Sequence, residues 1–253
     1  MKNSTLEKMK IMRLFGMMRI YDMLYENNSI NKLTIDEAVA GMVDAEWDDR
    51  YNRKLSRLLT QAKLRYRSFI EDLDYSPKRN LDKNLVMRLA MCNWIPQGKN
   101  IIINGKTGSG KSYLACAFGH QACLQEYKVR YLSCLKFFNS MKFARAEGTY
   151  EKQMKQLKKI NLIILDDFGL KLMDTESRLI LLELLEDRYE NCSTIISSQL
   201  SPDQWFNIIG DPTIADAICD RIIHRAYVIN LKGEESMRKK VNNSGNKLPP
   251  LVS

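Results

Sequence analysis

Residues 105 to 112 read Gly105-Lys106-Thr107-Gly108-Ser109-Gly110-Lys111-Ser112, which fits G-x-x-x-x-G-K-[ST] in full. Glycine at 105, 108 and 110 lets the backbone bend so that its N–H groups turn inward, making a concave anion site. The apolar run Asn100-Ile101-Ile102-Ile103-Asn104 before it reads as a buried strand, and Tyr113 to Leu124 after it has a helical pattern. A helix starting at the loop adds the positive end of its dipole. Strand, glycine loop and helix in this order predict a phosphate-binding α/β fold. The expected ligand is ATP with Mg²⁺, held by the loop and by Tyr113 next to it. Lys111 reaches the β- and γ-phosphates, and the Ser112 hydroxyl ligates the metal.

The chain downstream alternates short apolar runs with longer amphipathic segments. Residues 128–132, 162–165, 193–197 and 226–230 read as four further strands. Such βαβα alternation predicts a five-stranded parallel sheet between helices. The third strand runs Leu162-Ile163-Ile164-Leu165 into Asp166-Asp167. A helix N-cap pair accounts for two such residues in isolation. Coupled to the loop, they read as a site in which Asp166 holds Mg²⁺ and Asp167 orients and deprotonates the attacking water. Many ATPases carry Glu at the second position; Asp is one methylene shorter, and slow intrinsic hydrolysis is the expectation. The fourth strand ends in Ser197-Ser198-Gln199, where Gln199 or Ser198 can touch the γ-phosphate, although a plain turn before Pro202 explains these residues equally well. Arg221 and Arg225 precede the fifth strand and read, from residues alone, as surface arginines.

Residues 1–76 have a helical pattern throughout. Apolar positions from Leu6 to Leu24 predict one helix. Thr34-Ile35-Asp36-Glu37 has the form of a capping box, predicting a second toward Trp47, and a third covers about Asp49 to Tyr66. The polar cluster Ser76-Pro77-Lys78-Arg79-Asn80 suggests a boundary. The expected organisation is a helical domain over 1–76, a nucleotide-binding domain over 77–241, and a disordered tail over 242–253.

Net charge is +9 and the pI about 9.2, which favours a polyanionic partner. On the Asp49 helix, Arg50, Arg53, Lys54 and Arg57 share a face away from Leu55, Leu58, Leu59 and Ala62, and the basic run continues through Lys63, Arg65 and Arg67. That face can meet phosphates without reading sequence, or simply be solvated. The six cysteines include no C-x-x-C pair and read as buried and reduced. With two histidines in the chain, a histidine-based metal site is not expected. No signal peptide and no bilayer-length apolar run is read, so the expectation is a cytoplasmic protein with no membrane partner.

Taken in order, these elements resemble the IstB family, AAA+ ATP-binding helpers of insertion-sequence transposition related to DnaA- and DnaC-type ATPases. The resemblance is carried by Arg13-Leu14-Phe15-Gly16-Met17, Ala45-Glu46-Trp47, the glycine loop, Leu165 to Gly169, Ser193 to Leu200 with Trp205, Gly210-Asp211-Pro212, Ala217 to Arg221, and Leu231 to Arg238. It implies an AAA+ P-loop fold with little or no C-terminal lid. Asp166 and Asp167 take the Walker B roles and Gln199 or Ser198 the first sensor role. Arg221 becomes a finger acting on a neighbouring copy, hence self-assembly into rings or filaments, and Arg238 is a candidate second sensor. The implied partners are duplex DNA, bound without strong sequence preference, and a transposase. A replicative helicase loader of DnaC type, or a nucleotide-gated scaffold with little turnover, fits the same motifs.

Overall fold

The strands form where the sequence offers continuous β-branched and aliphatic runs, as expected of strands covered on both faces. The computed structural model describes residues 2–27 and 33–232. The chain divides into two compact units, 1–57 and 58–253, so residues 58–76 belong to the second unit.

In the first unit, α1 (Lys2–Ile11) and α2 (Phe15–Glu26) replace the single helix expected there. The break falls at Met12-Arg13-Leu14, where Arg13 takes φ 59°, a left-handed turn that no Gly or Pro announces. A third helix, α3 (Ile35–Ala62), runs unbroken through the point where two helices were expected. No proline or capping signal interrupts it, and Gly41 alone does not stop a helix. The capping box forms: the Thr34 N–H donates to Glu37 Oε2 at 2.8 Å, and the Glu37 N–H donates to Thr34 Oγ1 at 3.2 Å. A Cβ on Gly16 would stand 2.2 Å from the Ala45 carbonyl oxygen, so α2 crosses α3 at backbone contact. At that crossing the Gly16 and Met17 N–H groups donate to Glu46 Oε2 at 2.8 and 3.4 Å. Glu46 thereby satisfies orphan donors at the α2 N-terminus. The Arg13–Met17 and Ala45–Trp47 stretches are two sides of one contact.

The second unit continues with a 3₁₀ turn at Pro77–Arg79 and α4 (Lys83–Ala90), then β1 (Asn100–Gly105), α5 (Lys111–Leu124), β2 (Val129–Ser133), α6 (Cys134–Ala146) and α7 (Tyr150–Lys158). There follow β3 (Leu162–Phe168), α8 (Thr175–Glu186), β4 (Ser193–Ser198), α9 (Trp205–Ile209), α10 (Pro212–Ile223) and β5 (Ala226–Leu231). All five expected strands are present, every pairing is parallel, and the order is β2-β3-β4-β1-β5. Side chains alternate across the sheet. Ile163 and Leu165 join Phe137, Met141, Leu181, Trp205 and Ile218 in the core under α6, α8, α9 and α10. Ile164 faces α5, where Gly119 would place a Cβ 2.7 Å from its Cδ1.

Arg188 is buried at 2 % exposure and donates to the carbonyls of Leu157, Ile160, Asn161 and Ser193. It ties the entry to β3 and β4 to the turn after α8. The cysteines are unpaired and five of them are buried, as the sequence suggested. Burial pushes the thiols of Cys92, Cys116 and Cys123 up to about 12. Among the described residues no helix is long and apolar enough to cross a membrane. The tail from 242, Arg238 and any lid after β5 lie outside the described residues.

Candidate nucleotide site

The order of strands puts β1 between β4 and β5, with β3 next but one, so the loop after β1 and the acidic end of β3 face each other across the tip of β4. This is where an open parallel sheet binds ligands. In the loop Gly105, Gly108 and Gly110 have φ of 155°, 82° and 90°. A Cβ at Gly105 would stand 2.7 Å from both the Leu231 carbonyl oxygen and Ser109 Oγ, so glycine is required by space as well as by torsion. Gly110 is the residue before α5 and carries no capping side chain, leaving the first N–H groups of that helix directed at the loop. Lys111 Nζ donates to the carbonyls of Gly105 at 2.7 Å and Lys106 at 3.0 Å, arching over the loop from inside.

Ser112 Oγ donates to Asp166 Oδ1 at 2.9 Å. The two proposed metal ligands therefore meet. A hydroxyl and a carboxylate side by side are hard oxygen donors, and Mg²⁺ is held by few protein oxygens plus phosphates and water, so these residues fit the ion. Asp166 is fully buried and Asp167 one-third exposed. Asp167 has φ 60°, and the β3–β4 register shifts between Leu165 and Phe168. That irregularity turns the second carboxylate out of the strand's alternation. Positive φ at a non-glycine residue is uncommon, though Asp tolerates it better than most, and such outliers gather at functional sites.

Of the two sensor candidates, Gln199 reaches the loop: its Oε1 accepts from Thr107 Oγ1 at 2.9 Å. Ser198 is buried and donates to the Phe168 carbonyl at 2.9 Å, bracing the strand end. Ser197, not singled out from sequence, hydrogen-bonds Asp166 Oδ1. The finger candidate Arg221 pairs with Glu186 and donates to the Ala217 carbonyl at 2.8 Å. Within this one chain it is held on its own α10–α8 surface.

Three other side chains build the site without having been legible as site residues. Tyr131, on β2, donates its hydroxyl to Asp166 Oδ2 at 2.5 Å. Its burial, and then this bond, hold the phenol well above its ordinary value. Arg65, read from sequence as part of a basic run, lies with Nη1 3.4 Å from Asp166 Oδ2 and 3.3 Å from Asp167 Oδ2. Arg79, read as part of a boundary cluster, is 7 % exposed and donates to the Ser109 carbonyl at 2.8 Å and the Asp74 carbonyl at 3.1 Å. It grips the loop from behind. No motif marks these residues, because each is brought in by long-range folding.

Elsewhere in the proposed basic run, Lys63 has φ 50° and Arg67 lies over the Phe69 ring. In the first unit Arg50, Arg53, Lys54 and Arg57 line a pocket of ≈ 610 Å³ together with Met12 and Arg13. Two acidic residues temper it: Arg50 pairs with Glu46 at 2.6 Å, and Arg53 with Asp49 at 2.7 Å.

The family described as IstB-like ATP binding protein matches residues 7–245. The chain belongs to that family. A putative insertion sequence ATP-binding protein of Sinorhizobium fredii is 42% identical over 236 residues, covering 93% of this chain and 96% of the relative. The putative ATP-binding protein of insertion sequence IS1162 from Pseudomonas fluorescens is 38% identical over 201 residues, covering 79% and 87%. Among solved structures, DnaI superposes with TM-score 0.56 at 22% identity over 66% of this chain and 92% of that one. The DnaC helicase loader gives 0.55 at 17% over 68% and 100%. At such identities these two support the fold alone: a parallel sheet between helices with the glycine loop after β1.

Proposed function

We propose that this IstB-like protein is a Mg²⁺-dependent ATPase that, with ATP bound, self-assembles on duplex DNA and presents that DNA to a transposase. The observation that carries the ATPase reading is the meeting of Ser112 and Asp166 at 2.9 Å beneath the Lys111 arch, with Asp167 turned out beside them. In this reading the loop N–H groups and Lys111 bind the phosphates of ATP. Asp167 takes the proton of a water attacking the γ-phosphorus, and the bond to the ADP oxygen breaks. Ser112 and Asp166 would hold Mg²⁺, which would neutralise charge on the phosphates. Gln199, tied to Thr107, senses the γ-phosphate, and Arg221 leaves Glu186 to stabilise the charge on a neighbouring copy's nucleotide.

The DNA part of the reading is supported by the basic pocket of the first unit. Arg13 enters it from the α1–α2 turn and Arg50, Arg53, Lys54 and Arg57 from α3, so cations from two elements converge, as phosphate contacts require. The transposase is supported by the insertion-sequence relatives. One experiment tests the ATPase and assembly steps: electron microscopy on long duplex DNA with and without a non-hydrolysable ATP analogue, with ATP turnover measured in parallel. ATP-dependent rings or filaments, and turnover lost in Lys111→Ala and Asp167→Asn, are expected. Nucleotide-independent coating of DNA would refute the assembly step, and undiminished turnover in Asp167→Asn would refute the assigned base.

A further inference from the structure

We infer that Arg65 is a built-in counter-cation of the Asp166–Asp167 pair, one that competes with Mg²⁺ for the two carboxylates. The inference rests on the ATPase reading of this site and adds its regulation. Arg65 follows the end of α3 and belongs to the same compact unit as the nucleotide loop. A single guanidinium nitrogen bridges both aspartates, at 3.4 and 3.3 Å. The side chain lies over the Tyr66 ring with its Cζ 5.4 Å from the centroid, so the approach is fixed by packing as well as by charge.

The oxygens of Asp166 divide by partner. Oδ1 is met by the hydroxyls of Ser112 and Ser197, on the side of the nucleotide loop. Oδ2 is met by Tyr131 and Arg65. Asp167 Oδ2 is met by Arg65 as well. The arginine therefore supplies a positive charge to two adjacent carboxylates, one of them fully buried, whose mutual repulsion would otherwise oppose the closed arrangement. A divalent ion brought with nucleotide to Ser112 and Asp166 Oδ1 shares the Asp166 carboxylate with Arg65 and meets its charge at close range. Either Arg65 withdraws or the ion binds more weakly. The arginine can withdraw: its side chain is 38% exposed at the solvent edge, whereas Asp166 cannot move without tearing Ser197 and Tyr131 from it. Arg65 is thus a positioning residue that sets how much Mg²⁺ the site demands before it accepts ATP.

The test is the Mg²⁺ concentration giving half-maximal binding of a fluorescent ATP analogue by the full chain, in wild type, Arg65→Ala, Arg65→Gln and Arg65→Lys. Arg65→Ala is expected to lower the Mg²⁺ requirement about tenfold, a coupling of ordinary size between two ligands of one site. Arg65→Gln, which keeps a hydrogen-bond donor without charge, should do the same. Arg65→Lys should stay near wild type. Thermal unfolding supplies a readout independent of turnover. Arg65→Ala and Arg65→Gln should melt below wild type without ligand and recover to the wild-type value with saturating Mg²⁺ and nucleotide. An unchanged or raised Mg²⁺ requirement in either neutral variant overturns the inference and leaves the ATPase reading standing. A wild-type chain that binds no nucleotide at any Mg²⁺ concentration overturns both. If Arg65→Ala does not fold, Arg65→Gln decides.

Discussion

Replacing Arg79 by Met removes a buried cation that grips the phosphate loop and leaves the apolar stem in place. Two bonds are lost, to the Ser109 carbonyl at 2.8 Å and the Asp74 carbonyl at 3.1 Å. Hydrogen bonds from a charged donor are worth about 1.5–3 kcal/mol each, but removing the guanidinium also ends its own burial cost, which offsets part of the loss. The burial cost is visible in the depressed basicity of Arg79, which desolvation causes. A net loss of about 3 kcal/mol follows. For a unit of this size that lowers the melting temperature by about 6–12 °C. Because one of the two bonds holds the loop itself, a share of the loss should reappear as nucleotide affinity, weakening it by about tenfold, or roughly 1.4 kcal/mol. Differential scanning fluorimetry with and without nucleotide, together with a direct binding titration, separates the two shares. A melting temperature within 2 °C of wild type, alongside unchanged nucleotide affinity, would refute the reasoning that Arg79 holds the loop in shape.

Other outcomes follow from the same geometry. Gln199→Ala should leave ATP affinity near wild type and lower turnover by roughly a hundredfold if, as proposed, the amide that touches the loop at Thr107 acts where charge develops; steady-state and binding assays read the split. Arg188→Met should cost about 4 kcal/mol, since four carbonyls lose a charged donor, the Ser193 carbonyl in a buried bond, and chemical denaturation measures it. Glu46 carries a pH signature. Burial opposes its charge, but Arg50 and the N–H groups of Gly16 and Met17 outweigh that, and its carboxyl is held below the ordinary 4.5. A lowered folded value means the stabilisation is complete above the ordinary value and is lost as pH falls through the depressed one. Wild type should therefore lose more stability than Glu46→Gln on acidification below pH 4.5, followed by circular dichroism of the full chain. Arg53→Ala with Lys54→Ala and Arg57→Ala should weaken DNA binding and flatten its salt dependence in a fluorescence titration; an unchanged slope would move the DNA site elsewhere.

The strands and the loop were legible because their signals are local. Parallel strands covered on both faces are written as unbroken runs such as Ile101-Ile102-Ile103 and Leu162-Ile163-Ile164-Leu165. The loop needs glycine at fixed offsets, and Asp166 follows its strand directly. The helical unit was less legible. Its break rests on a left-handed arginine, Arg13, which has no signature in composition, and the continuity of α3 rests on the lack of any strong stop. The side chains that organise the acidic pair were hidden for a different reason. Arg65 and Tyr131 come from separate elements and meet Asp166 only once the sheet order is set. A basic run in sequence gave the sign of Arg65 but not its destination. Arg79 sat in a polar cluster that reads as a boundary, and nothing short of the fold shows that it is buried.

The contact between Gly16 and the Ala45–Glu46 backbone constrains how such chains can be recombined. Residue 16 tolerates no Cβ, and Glu46 answers the N–H groups that this close crossing exposes. A chimera that takes residues 2–27 from one parent and α3 from another inherits half of the lock. Where the donor carries a side chain at 16, the helices are forced apart; where it lacks the acid at 46, the α2 terminus is left without its acceptor. Exchange points for building hybrids of this protein with its relatives should therefore fall beyond α3, so that both halves of the crossing come from a single parent.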